Sequence, residues 1–118
     1  MSPEARALAQ ELLDHHRRLN HARAGDATIP EYSLLSYGDL CARAGRPDLT
    51  STVGKFLREI ALWCQENGWP PLNALAINYK TLRPGSGYEY APGCSSDHWP
   101  DQVAACLGFR GYPKAVEQ

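Results

Sequence analysis

Residues 36–68 read SYGDLCARAGRPDLTSTVGKFLREIALWCQENG, and the order of caps, apolar spacing and glycines in this stretch decides the fold. Ser36 with Asp39 three residues later resembles a capping box, Asp being a weaker partner than Glu at that position. The spacing predicts a short helix over 37–44, ended by Gly45, which can take the left-handed position past a helix C-terminus. Arg46-Pro47-Asp48-Leu49 reads as a turn. Thr50 is then expected to cap a long helix over 50–67, whose stripe is Val53, Phe56, Leu57, Ile60 and Cys64, with Gly68 as its stop. A short helix, a tight turn and a longer helix make a helix-turn-helix.

Working outward, Ser2-Pro3-Glu4 is a helix start: Ser can cap, Pro fits the first turn and Glu suits the positive end of the dipole. Ala5, Leu8, Leu12, His16 and Leu19 recur at helical spacing, widened by Ala9 and Leu13, and face away from Glu11, Asp14, Arg17 and Arg18. This helix should run to about Arg23 and stop at Ala24-Gly25-Asp26, with a loop through Ile29-Pro30-Glu31 after it. Downstream of Trp69-Pro70-Pro71 the period changes. Residues 72–79 (LNALAINY) suit a strand, residues 80–87 (KTLRPGSG) a turn or tip, and Tyr88-Glu89-Tyr90 a returning strand. A last short helix is expected over 100–107, with Pro100 early in it and Gly108 and Gly111 behind it. The expected fold is therefore α+β: an N-terminal helix (1–25), a winged-helix-like unit (36–90) and a C-terminal loop and short helix (91–118), all in one domain.

The bulk numbers agree with one folded domain. The chain has 118 residues, 43% hydrophobic and 21% charged, enough for one core and too few for two. Twelve Lys and Arg against thirteen Asp and Glu give a net charge of −1, without the basic excess of a dedicated nucleic-acid binder. Any such function must come from a local patch. No stretch approaches the roughly 18 apolar residues of a membrane span, and Met1-Ser2-Pro3-Glu4 lacks the layout of a signal peptide. A cytoplasmic protein is expected. Its four scattered cysteines, Cys41, Cys64, Cys94 and Cys106, read as reduced small apolar residues.

Tyr37-Gly38-Asp39-Leu40-Cys41, then Ala44-Gly45, Val53-Gly54 and a Pro-led apolar strand, resemble the DNA-binding half of the alkylguanine alkyltransferase and alkyltransferase-like family over about residues 36–87. The resemblance implies a winged-helix-like fold that meets DNA with Tyr37 and the front of the long helix. It also implies what is missing. The family's base-flipping arginine falls on Ser51, and its Pro-Cys-His-Arg segment falls on Pro71-Leu72-Asn73-Ala74, with Leu72 at the nucleophile's place. Without a thiol beside a His there is no activated nucleophile, and alkyl transfer is excluded by residue.

The residues left to contact nucleic acid are Tyr37, Ser51, Thr52, Lys55 and Arg58, with Lys80 and Arg83 flanking the wing tip. Between 36 and 67, Arg43, Arg46, Lys55 and Arg58 are balanced by Asp39, Asp48, Glu59 and Glu66, so a protein-contact surface is the competing reading. Other groupings carry less. Cys94 and His98, with Asp97 between them, are part of a zinc set without a second pair. His15, His16 and His21 with Arg17, Arg18 and Arg23 form a titratable basic stretch that reads first as a solvated face. Pro84-Gly85-Ser86-Gly87 lacks the Lys-Ser/Thr of a P-loop. Tyr88, Tyr90, Trp99 and Tyr112 read as packing or as a binding face, and Asp97 with Asp101 lacks a base for acid–base work.

Two functions are thus expected. One is a non-catalytic nucleic-acid-binding module of winged-helix type, acting on duplex DNA. The other is a small protein-binding inhibitor or accessory factor, of the kind phages and mobile elements encode against host defence, such as anti-CRISPR proteins. No cofactor, metal or membrane partner is expected.

Overall fold

Helix α1 (Pro3–Ala22) begins as its first residues dictate, with the Ala5 N–H donating to Ser2 Oγ at 3.2 Å. The same serine ties the helix start to the middle of the chain: its N–H and hydroxyl both donate to the Glu59 carboxylate at 2.8 Å. This is a computed structural model, and it describes residues 1–22 and 34–116. The expected helix stop at 24–26 and the loop through 29–31 lie outside the described residues. Strand β1 (Leu35–Ser36) leads directly into α2 (Tyr37–Arg43), where Ser36 Oγ accepts from the Asp39 N–H as the capping pattern requires. Gly45 takes φ +75°, and the bonds Arg46 N–H to Cys41 O (2.8 Å) and Gly45 N–H to Ala42 O (3.0 Å) complete a Schellman ending.

The long helix starts later than its expected cap at Thr50. Residues Pro47–Thr52 wind as a 3-10 turn, and α3 occupies Val53–Glu66. The reason lies in the threonines. Thr50 Oγ1 donates to Pro47 O and Thr52 Oγ1 to Leu49 O, so neither hydroxyl is turned forward to accept from the helix's amides. The stripe Val53, Phe56, Leu57, Ile60 and Cys64 is buried as its spacing predicts, and Gly68 at φ +72° closes the helix with a second Schellman pair. The stripe of α3 packs on that of α1, where Ala5, Leu8, Ala9, Leu12, Leu13 and Leu19 are all buried.

After α3 the structure departs from the expected hairpin. Residues 72–77 are buried throughout: Leu72–Leu75 form a 3-10 turn, and only β2 (Ala76–Ile77) is strand. It pairs in parallel with β1, Leu35 opposite Ala76 and Ser36 opposite Ile77, with α2 and α3 serving as the crossover a parallel pair needs. The expected returning strand at 88–90 is instead a 3-10 turn, Ser86–Tyr90. A single antiparallel bridge, Asn78 with Arg83, is all that remains of a wing. Pro84 follows immediately and has no N–H with which to extend the ladder. A further 3-10 turn (Ser96–His98) runs into α4 (Trp99–Gly108), close to the expected last helix. Among the described residues the fold is α+β, four α-helices around one core with a two-stranded parallel sheet. Among the described residues no helix is long and apolar enough to cross a membrane.

The titratable stretch on α1 is not a uniformly solvated face. His15 and His16 are buried, while Arg17 pairs with Asp14 and Arg18 with Glu11 at the surface; the side chains of His21 and Arg23 lie outside the described residues. His16 Nε2–H donates to Cys106 O at 2.7 Å. Burial, above all, holds its pKa below the ordinary 6.5, helped by the nearby charges of Arg110 and His15 and opposed by that hydrogen bond. The unfolded chain therefore takes up the proton first as pH falls. The stability this histidine contributes is complete above pH 6.5 and is lost below it, at up to about 1.4 kcal/mol per pH unit. Urea midpoints should fall between about pH 7.5 and 5.5, and His16→Gln, which can still donate to the carbonyl, should flatten that fall. An unchanged slope in the variant would assign the acid sensitivity elsewhere.

Candidate nucleic-acid interface

Tyr37, the first residue of α2, is the hinge of the site because two surface clefts share it. The first, of about 210 Å³, lies between α3 and the 85–91 segment and is lined by Tyr37, Gly54, Leu57, Arg58, Asn73, Gly87 and Tyr88 among others. The second, of about 370 Å³, is lined by Ser36, Tyr37, Gly38, Thr50, Asn78, Tyr79 and Lys80. The phenol stands between them because Gly85 N–H donates to its Oη at 2.6 Å, a bond spanning 48 residues. A Cβ on Gly85 would meet that oxygen at 3.4 Å, at the edge of ordinary van der Waals contact.

Of the residues expected from sequence, the structure joins Tyr37 to Arg58 in the first cleft and Tyr37 to Lys80 in the second. Lys55 and Arg58 are exposed on α3, one turn apart. Ser51 and Thr52 are also exposed, but they sit on the 3-10 turn ahead of α3 rather than on its first turn, because the helix begins only at Val53. Arg83 is exposed at the end of the 78–83 turn with its guanidinium 5.5 Å from the Trp99 ring, and it lines neither of these two clefts. Among the described residues no carboxylate lies within ion-pair distance of Lys55, Arg58, Lys80 or Arg83. Two of the four acids that balance the 36–67 segment have other partners: Asp48 pairs with Arg46, and Glu59 accepts from Ser2 while also feeling the charge of Lys55.

The remaining candidates are dispersed. Leu72 is buried. The four cysteines are free. Burial pushes the Cys64 thiol up to about 11 and the Cys106 thiol up to about 12, and raises Cys41 and Cys94 for the same first reason, which makes them poor nucleophiles. Cys94 Sγ is 3.5 Å from the Asn73 amide nitrogen while His98 is exposed, and no group of three or more metal-binding side chains is assembled among the described residues. Asp97 and Asp101 are exposed. The aromatic cluster divides. Tyr88 donates to Gln102 (2.5 Å), Trp99 Nε1–H to Ala74 O (2.9 Å) and Tyr112 to Pro70 O (2.5 Å), all packing roles, whereas Tyr90 is exposed. Of the 84–87 run, Gly85, Ser86 and Gly87 line the first cleft instead of forming a wing tip.

Three residues of the site escape sequence reasoning. Asn73 is 2% exposed and lines the first cleft, where the Cys94 thiol is its side-chain partner among the described residues, a weak one for an amide; its signal is that it is the one polar residue in the apolar run 72–77. Tyr79 and Leu82 are exposed on the 78–83 turn, and in sequence they are indistinguishable from core residues. Neither the protein-family models, nor the curated proteins, nor the solved structures include a match to this chain.

Proposed function

We propose that the chain is a non-catalytic nucleic-acid-binding module, with α2, the 47–52 turn and α3 as its reading unit and the 78–83 turn as a reduced wing. The observation that carries this reading is the set of four exposed cations, Lys55, Arg58, Lys80 and Arg83, none of them within ion-pair distance of a carboxylate among the described residues, two of them on cleft walls shared with Tyr37. Phosphate contacts from such residues position a protein on a duplex without specifying sequence. With Ser51 in place of a long cationic lever, binding proceeds without base flipping and with little preference for damaged bases.

The test is fluorescence anisotropy with a labelled mixed-sequence duplex over a salt series. Each neutralised phosphate releases counterions, so log K should fall linearly with log salt, at a slope of roughly −0.9 per phosphate. Three or four phosphates predict a slope near −3. Absence of binding to duplex and to single strands at low salt would sink the reading. The second reading, an inhibitor or accessory factor that binds another protein, is favoured by one observation, the exposed apolar surface of Leu62, Tyr79, Leu82 and Tyr90, and a pull-down would then be the next experiment.

A further inference from the structure

The 78–83 turn is built to hold two apolar side chains in solvent. Three bonds of 2.8 Å converge on it: Asn78 N–H to Arg83 O, Leu82 N–H to Asn78 O, and Lys80 N–H to Asn78 Oδ1. Thr81 Oγ1 adds a further tie to Arg83. Inside this frame Leu82 takes φ +57°, the only positive φ at a non-glycine among the described residues. A leucine has no polar side chain to compensate that conformation as asparagine does. Nor does burial repay it, because Leu82 is 65% exposed and Tyr79 is 69% exposed. Strained backbone held by surrounding bonds, with no return in packing, points to a use outside the fold.

The surroundings say what that use is. From Gly68 to Tyr88 the chain carries no Asp or Glu, and its two cations, Lys80 and Arg83, bracket Leu82 on the same turn. Tyr79 and Lys80 also line the cleft of Tyr37 and Thr50, so the turn is continuous with the proposed interface. An apolar tip between cations, narrow because a bridge closes it after six residues, fits a nucleic-acid groove. There, leucine side chains inserted between base steps unstack and kink a duplex.

We infer that Leu82, seconded by Tyr79, is an apolar wedge that enters the duplex and unstacks a base step, while Lys80 and Arg83 hold the flanking phosphates. This rests on the nucleic-acid reading above. The probe is a short duplex with 2-aminopurine at successive positions, whose fluorescence rises when the base loses its neighbours. The parent protein should raise that signal about twofold or more at some position. Leu82→Ala should return it to the level of free duplex while the salt slope stays unchanged, since no cation is removed. Leu82→Gly should lose the signal equally and melt at the same or a higher temperature, because glycine adopts the positive φ without strain. Parent and Leu82→Ala binding duplex with the same 2-aminopurine signal would overturn the wedge and leave the binding function standing. No duplex binding by the parent would overturn both, and the exposed pair would then belong to a protein contact.

Discussion

Phe56→Ala should destabilise the protein by about 3–5 kcal/mol, as truncating a buried aromatic does when its surroundings cannot collapse into the space. The ring is 4% exposed in the single core cluster to which α1 and α3 both contribute, so its removal opens a void in that core. A total stability of about 5–15 kcal/mol is usual for a domain, and a large part of it would disappear. Urea melts followed by tryptophan fluorescence measure the change directly. Phe56→Leu keeps most of the volume and should cost less than about 1.5 kcal/mol. If the alanine variant melts with the parent, Phe56 is not in the core and the face assigned to α3 is wrong.

The second large effect concerns binding. Lys55→Glu with Arg58→Glu should weaken duplex affinity by roughly tenfold for each phosphate no longer neutralised, about 100-fold in all at moderate salt, and should reduce the salt slope by about 2. Both residues are exposed and neither is ion-paired among the described residues, so the fold should hardly register the change. The contributions at stake are the Lys55 ammonium 5.0 Å from the Phe56 ring, about 0.5–1 kcal/mol at an exposed site, and the attraction between Lys55 and Glu59 one turn on. Anisotropy titrations and melts on the same samples separate the two consequences. Affinity unchanged with a normal melt would remove α3 from the interface, even if the parent binds.

What can be read in advance, and what cannot, follows from the range over which each feature is specified. The helices are legible because their determinants lie within a few residues of one another. Ser36 caps the amide of Asp39, three positions away; Gly45 and Gly68 supply positive φ one residue past the helix caps; and the stripe from Val53 to Cys64 repeats at the helical period. The strands are not legible, because two-residue strands have no period to read. Residues 72–77 are buried on every side, and an apolar run of that kind fits a core turn as well as a strand. Only the crossover through α2 and α3 brings Ala76 and Ile77 beside Leu35 and Ser36.

The site divides in the same way. That Lys55 and Arg58 face outward follows from the helical stripe. The two clefts depend on the bond from Gly85 to Tyr37 across 48 residues. The engagement of Glu59 depends on Ser2, 57 residues away, which no local pattern announces. Local sequence determined the helices and the glycine stops of α2 and α3; tertiary structure alone decided the strand pairing and the clefts, because those are set by interactions between segments far apart in the chain.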